Sequence, residues 1–426
     1  MANNPVPIRI AIIGGGLAGV TLANALIQIP HLDIQVYESA PSFSERGAAL
    51  ALGTNAQQAL EEILPTGKGG IFKRAGAVPI NSARSIVGSG PHAGETILDL
   101  SGEDPGIIVH RASLLRELVA TLPESSLHTD KKLVSVDVRP DTGDAPAAKA
   151  LQIVFEDGTI DEADAVIGAD GVFGLVRSHV LQGEAKKHPA SPAGFWDSRL
   201  LIPIEKARHL FGETSFDADR QTGWVGDSAF LMLDALENGT VVQCIVSAIE
   251  QPSPMHDRKR EVAVETLTQT LASWHDNPIA KGMIELCREQ GGFEGYSQWE
   301  HKSTPMYANG HVCVLGDAAH ATTPWQGSGA AMAFEDVMIL QELLGSVTSP
   351  RDISAAFKTY DVLRRPRCQR VIDSSREVGR IFCGQSGLVP GELRELLAPK
   401  WDFIFSLDMN AHKREALQRF REMQQD

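Results

Sequence analysis

The run Gly14-Gly15-Gly16-Leu17-Ala18-Gly19 has the spacing GxGxxG, which suits a backbone turn that closes on phosphate. Gly14 permits the tight turn, Gly16 lets a pyrophosphate approach the main chain, and Gly19 lets a helix pack closely on a sheet. The helix that follows offers free N–H groups and about half a positive charge at its start. Glu38 lies 19 residues past the last glycine, where a carboxylate can accept hydrogen bonds from ribose hydroxyls. Together these residues predict dinucleotide binding through Gly14, Gly16, Leu17, Ala18, Gly19 and Glu38. They do not separate NAD from FAD, and a Gly-rich packing turn is the bland alternative.

Two further runs carry an acid in a glycine-rich loop. One is Gly168-Ala169-Asp170-Gly171, followed by Arg177. The other is Gly316-Asp317-Ala318-Ala319-His320, followed by Pro324 and by Gln326-Gly327-Ser328-Gly329-Ala330. An Asp at the carboxyl end of a buried strand, beside a sheet switch point, is well placed for a polyhydroxyl chain. Either Asp alone is equally readable as an N-cap or turn residue. The loop ending at Ala330 opens a helix, so its N–H groups could face an electron-accepting ring.

The elements that position these runs are legible in outline. Ile8–Ile13 is a continuous apolar run, as in a strand covered on both faces. With a helix over Val20–Ile29 and a strand over Asp33–Tyr37 it makes a βαβ unit, which implies a parallel sheet. Helices are expected at Asn55–Leu64 and Ala112–Leu122. Strands are expected at Lys131–Val138, Leu151–Phe155 and Ala165–Ile167, with a polar loop at Arg139–Lys149. Beyond about Leu181 the texture changes: Phe230–Ala235 and Thr240–Ile249 flank Asn238-Gly239, a hairpin signal. Helices follow at Arg260–Trp274 and Ile279–Arg288, then a strand at His311–Leu315 and a helix at Ala330–Leu344. A nucleotide-binding domain interrupted by a β-rich insertion fits this order.

Composition narrows the function classes. The chain has 426 residues and a net charge of −15, which argues against nucleic acid as the main partner. Its five cysteines, Cys244, Cys287, Cys313, Cys368 and Cys383, show no CxxC spacing. They read as reduced thiols of a cytoplasmic protein rather than a disulfide or zinc framework. Ile8–Ile29 is apolar enough to imitate a membrane span, but Gly14-Gly15-Gly16 interrupts it, so no stable membrane anchor is expected.

In this order, the three motifs resemble those of the class A flavoprotein monooxygenases, the aromatic hydroxylases related to p-hydroxybenzoate hydroxylase. The run from Gly316 to Asp336 is similar to the salicylate hydroxylase branch, particularly its fungal members. Val109-His110-Arg111 before a helix matches that family's arginine near the flavin. The resemblance spans nearly the whole chain. It implies an α/β fold with a Rossmann-like, discontinuous FAD-binding domain of the GR2 type, an inserted β-rich substrate domain and C-terminal helices. The expected division is 1–75, 98–180 and 300–345 for FAD, 76–97 and 181–299 for substrate, and 346–426 for the helical region.

The resemblance also implies FAD as cofactor and NADH or NADPH as co-substrate. By position, Gly14, Gly16 and Gly19 would hold the pyrophosphate and Glu38 the ribose. Arg111 and Asp317 would contact the linker and ribitol. Asp170 and Gly171 match a motif tied to both FAD and the nicotinamide donor. Gly327, Gly329 and Ala330 belong to the loop facing the ring. Two departures stand out: Gly174 where relatives often carry Ser, and Trp325 where bacterial members tend to have His.

The implied chemistry is transfer of one oxygen atom from O2 to an electron-rich ring through a flavin C4a-hydroperoxide. No metal cluster is needed, and His320 reads as a structural residue of its loop. Ser198-Arg199-Leu200-Leu201-Ile202-Pro203 resembles the strand in which an arginine faces substrate. Arg199 could therefore pair with a carboxylate or phenolate, or lie in a surface ion pair. Pro324 and Trp325 could wall the pocket or simply pack under the loop, while Phe195, Trp196, Trp224 and Met232 read as insertion core. The leading expectation is decarboxylative hydroxylation of salicylate to catechol. The alternatives are a tailoring monooxygenase acting on a larger phenolic metabolite and a flavin-binding protein without turnover. The family's habit also implies a homodimer.

Overall fold

A computed structural model describes residues 6–44, 49–64, 70–80, 83–99, 106–138, 151–216, 221–236, 239–250, 258–274 and 276–425. The expected loop at Arg139–Lys149 and the hairpin residue Asn238 lie outside the described residues. The fold is α/β, as the glycine-turn βαβ unit requires. Strand β1 (Ile8–Ile13) is central in a six-stranded sheet, between Ala165–Gly168 and β2 (Leu32–Tyr37), and parallel to both. Val312–Val314 adds in parallel beyond Ala165–Gly168. All four residues of Ala165–Gly168 are buried, as expected of a strand covered on both faces.

Helix α1 (Leu17–Leu26) is buried along almost its whole length, which explains its apolar character on every side. It starts at Leu17 rather than at the expected Val20. Leu17, Ala18 and Gly19 have no side chain that resists the helix, so its first turn reaches back to the glycine turn.

The insertion is an eight-stranded sheet. Its spatial order is Lys259–Val262, Phe293–Glu300, Ser191–Pro203, Val241–Ile249, Ala229–Leu236, Gln221–Gly226, Ala83–Val87 and Thr96–Asp99. The hairpin of Ala229–Leu236 and Val241–Ile249 is present, with Asp234 opposite Gln243. One face buries Trp196, Ile202, Leu231, Val246 and Trp274 against the helices Ile204–Phe211 and Pro278–Gln290. The other packs Phe195, Val225 and Phe230 against Trp325 and Phe382, facing the cofactor domain.

The expected helix over Arg260–Trp274 is corrected. Lys259–Val262 is an edge strand paired antiparallel with Phe293–Tyr296, and the helix runs only over Val264–Thr270. The long helix Ile353–Phe382 and the C-terminal helix Met409–Met423 pack on the first domain's core through Tyr360, Val371 and Phe420. Among the described residues no helix is long and apolar enough to cross a membrane.

Candidate active site

The glycine turn is built by close backbone approach. Gly14 sits at φ +113°, and a Cβ there would lie 2.3 Å from the carbonyl oxygen of Ala169. A Cβ on Gly19 would lie 2.0 Å from the oxygen of Gly14. The first motif is thus locked onto the second, and the N–H of Ala169 donates to Ile13 O at 2.7 Å. Gly16 caps α1 in an extended conformation, with no side-chain cap and no acid in the first turn. The helix therefore directs its N–H groups and positive end outward. Glu38, at the end of β2, accepts from the N–H groups of Gly15 and Ala40, each at 2.7 Å, so its carboxylate borders the same turn.

In the second motif Asp170 turns inward. Its Oδ2 accepts from the Val176 N–H at 3.0 Å, and burial raises its carboxyl above the usual range. Oδ1 is buried with no partner among the described residues. Gly174 explains the posture: a Cβ there would lie 2.1 Å from the Asp170 carboxyl carbon. A serine at 174 would require Asp170 to move. Gly171, at φ +75°, follows in the left-handed region.

The third motif touches the first. A Cβ on Gly316 would be 3.0 Å from that of Ala18 and 3.6 Å from that of Ala333. Gly316 leads into the single turn Asp317–His320. Between buried neighbours on both sides, Asp317 alone is exposed. Arg177 clamps this turn, donating to Ala319 O at 3.2 Å and to Thr304 Oγ1 at 2.9 Å. Gly327, at φ +62°, then reverses the chain before Gly329–Gly345. The Ser328 hydroxyl bonds back to Gln326 O rather than capping that helix, so Gly329 and Ala330 form an uncapped N-terminus.

These features fit FAD. Two uncapped helix N-termini, a buried Asp170 oxygen without a partner among the described residues and an exposed Asp317 carboxylate converge where the three turns meet. Arg111 opens the helix Arg111–Val119 with a half-buried side chain. That helix is tied to α1 by Asn24 Nδ2 donating to Leu118 O at 3.0 Å. Asp317→Ala is expected to weaken FAD binding roughly ten- to a hundredfold, the usual cost of losing a hydrogen bond to a charged group. Titration of the apoprotein with FAD checks this, and unchanged affinity with unchanged turnover would contradict it.

Where substrate contacts were expected, Pro324–Gln326 is a short 3-10 turn. Trp325 packs edge-on against Phe195 (5.2 Å) and Phe230 (5.7 Å), with its indole over Gly379. The packing alternative therefore describes most of its surface. Arg199 points to the same sheet face as Phe195 but is paired with Asp197 at 2.7 Å and is about one-third exposed. Met232 is half-buried on that face, beside the aromatic cluster rather than inside the helix-covered core.

Sequence reasoning missed several buried polar groups. Asp234 is fully buried and accepts from Gln221 Nε2 at 2.9 Å; burial pushes its carboxyl up to about 6. Glu335 and Asp336, inside an apolar helix, pair with the buried Arg364, and Glu335 also takes two bonds from Arg367. Two adjacent acids within Ala330–Leu344 were the available signal. Burial opposes charge on His320, yet the neighbouring Cys368 and Asp336 hold it protonated well above its usual range. The potential ligand atoms of His320, Asp336 and Cys368 lie within 4.8 Å of one another. Arg364 and the Gly316 N–H occupy the Asp336 oxygens, so the trio is a hydrogen-bonded ion network.

Comparison with known proteins agrees with this geometry. A family described as an FAD binding domain matches residues 135–375. A 6-methylsalicylate 1-monooxygenase of Aspergillus terreus is 33% identical over 435 residues, covering 98% of this chain and 93% of that protein. A salicylate hydroxylase of Pseudomonas putida is 29% identical over 437 residues, covering 98% and 96%. Among solved structures, a salicylate hydroxylase substrate complex superposes with a TM-score of 0.81 at 22% identity, covering 97% and 98%. Klebsiella pneumoniae HpxO with FAD and uric acid gives 0.72 at 23% identity, covering 96% and 97%. At these identities the two structures share the fold.

Proposed function

Because this chain belongs to the FAD-dependent aromatic monooxygenases of the salicylate hydroxylase type, we propose that its substrate is salicylate or a ring-substituted salicylate. The reaction is hydroxylation at the carboxyl-bearing carbon with loss of CO2. For salicylate, the anion, NAD(P)H, O2 and two protons give catechol, CO2, water and NAD(P)+. The observation that carries this reading is end-to-end similarity to fungal and bacterial enzymes named for salicylates.

Bound FAD supplies the redox chemistry and the activation of O2. The chain's own part is position and electrostatics. The N-termini of α1 and of Gly329–Gly345 would hold the phosphates and the flavin ring respectively, where their positive ends favour negative charge. Phe230, Met232 and Trp325 offer an apolar wall that excludes water from an aromatic ring. Arg199, at the open end of that sheet face, exchanges Asp197 for the substrate carboxylate or phenolate.

Arg199→Ala is then expected to raise KM for salicylate about tenfold or more while leaving FAD content intact. A fork-shaped contact to a carboxylate is worth more than the 0–1 kcal/mol typical of an exposed pair. Unchanged KM would leave Arg199 as a surface ion pair. The wider test is a panel of phenols and hydroxybenzoates, with NAD(P)H oxidation, O2 uptake and product read together. Carboxyl-labelled salicylate should release its label as CO2. A dihydroxybenzoate that keeps the label would refute attack at the carboxyl-bearing carbon. A larger phenol turned over in place of salicylate would establish the tailoring alternative.

A further inference from the structure

Asp336 lies at 0% exposure inside the helix Gly329–Gly345, and nothing in the proposed chemistry employs it. Its Oδ2 accepts from the Gly316 N–H at 3.2 Å and faces His320 Nε2 at 2.5 Å. Gly316 is the residue just before the single turn Asp317–His320, and His320 is its last. Its Oδ1 accepts from Arg364 Nε at 2.8 Å. Arg364 is anchored in turn to Glu335 at 2.8 Å and to Met332 O at 3.2 Å. One carboxylate therefore grips the turn at the residue that leads into it and at its last, and a buried cation holds the carboxylate.

The consequence falls on Asp317. Within residues 312–321 it is the one exposed side chain, carried on a turn of four residues that no side chain caps. A turn that short has little rigidity of its own, so its direction is set by the groups that bond it, Arg177 at Ala319 O and Asp336 beneath at Gly316 and His320. We infer that Asp336, acting with His320, is the positioning residue for Asp317, holding its carboxylate where bound FAD needs it. The inference rests on the reading that Asp317 contacts FAD. It assigns a role to His320 and to the Glu335-Asp336 pair beyond general packing.

A double-mutant cycle on FAD affinity tests it, read by flavin fluorescence during titration of the apoprotein, with circular dichroism as the check on folding. His320→Leu should weaken FAD binding roughly tenfold, as expected for a lost charged hydrogen bond. His320→Gln, which keeps an N–H donor, should restore it. In an Asp317→Ala background, His320→Leu should add less than about a threefold further loss, because the contact it positions is already gone. Effects that multiply, or wild-type affinity in His320→Leu, would overturn the inference. Wild-type affinity in Asp317→Ala alone would overturn the Asp317 reading beneath it. If His320→Leu does not give folded apoprotein, Asp336→Asn takes its place in the cycle, with the same outcomes deciding.

Discussion

Gly14→Ala should yield protein that no longer retains FAD. Two costs coincide at this residue. Gly14 sits at φ +113°, a conformation that costs an L side chain about 1–3 kcal/mol. Its new Cβ would also stand 2.3 Å from Ala169 O and 2.6 Å from the carbonyl carbon, which are backbone atoms and not a flexible side chain. Relief requires the turn to move away from the strand Ala165–Gly168, and overpacking of that kind costs about 1–3 kcal/mol more. The displaced groups are those proposed to border the pyrophosphate, so the cost is expected to fall on cofactor affinity as well as on stability. At about 1.4 kcal/mol per tenfold, a hundredfold weaker FAD binding is a conservative expectation. Visible flavin absorbance per protein, measured after desalting and beside a far-UV spectrum, checks it. Full flavin content would dismiss the first motif as the cofactor turn.

The parts of the site that sequence made legible are those that depend on local geometry. A glycine needed for a left-handed turn, an acid after a buried strand and a helix start are written within a few residues of each other. Hence Gly14, Asp170, Asp317 and Gly329 were all placed correctly at the ends of strands or the start of a helix. What was illegible depends on distant partners. The strand Lys259–Val262 has no β-branched run to announce it, and only its pairing with Phe293–Tyr296 makes it one. Trp325 could be named as a pocket wall from its place in the loop. That its indole would lie over Gly379, on a helix beginning 28 residues later at Ile353, could not be read locally. Arg199 had two open readings because its partner Asp197 is on its own strand, two residues away on the same face. Asp336 was visible as an acid in an apolar helix, but its cation, Arg364, comes from another helix.

Arg364→Met tests how much of the fold rests on that cation. Arg364 is 0% exposed and lies 2.8 Å from both Glu335 and Asp336, themselves 1% and 0% exposed. Removing it leaves Glu335 to Arg367 and Asp336 to His320. Breaking one partner out of a buried ion network costs about 3–5 kcal/mol, because the remaining charges stay desolvated. Thermal unfolding should therefore begin roughly 3–6 °C lower. Arg364→Lys should recover only part of the loss, since an ammonium cannot bond two carboxylates with the planar fork of a guanidinium.

The pH dependence separates charge from packing. Burial works to raise the carboxyls of Glu335 and Asp336, but for Glu335 Arg364 and Arg367 outweigh it, and for Asp336 His320 and Arg364 do; both are held below their usual range. In the wild type their stabilising contribution is present at neutral pH and is lost as pH falls through the depressed folded-state values. Without Arg364 these acids titrate higher and contribute less. The deficit against wild type is then largest near neutrality and narrows as pH falls through the variant's raised carboxyls toward the depressed ones of the wild type. Melting both proteins across that range reads the difference directly. A deficit that stays constant with pH would mean that the guanidinium acts as packing volume and that the ion network contributes nothing of its own.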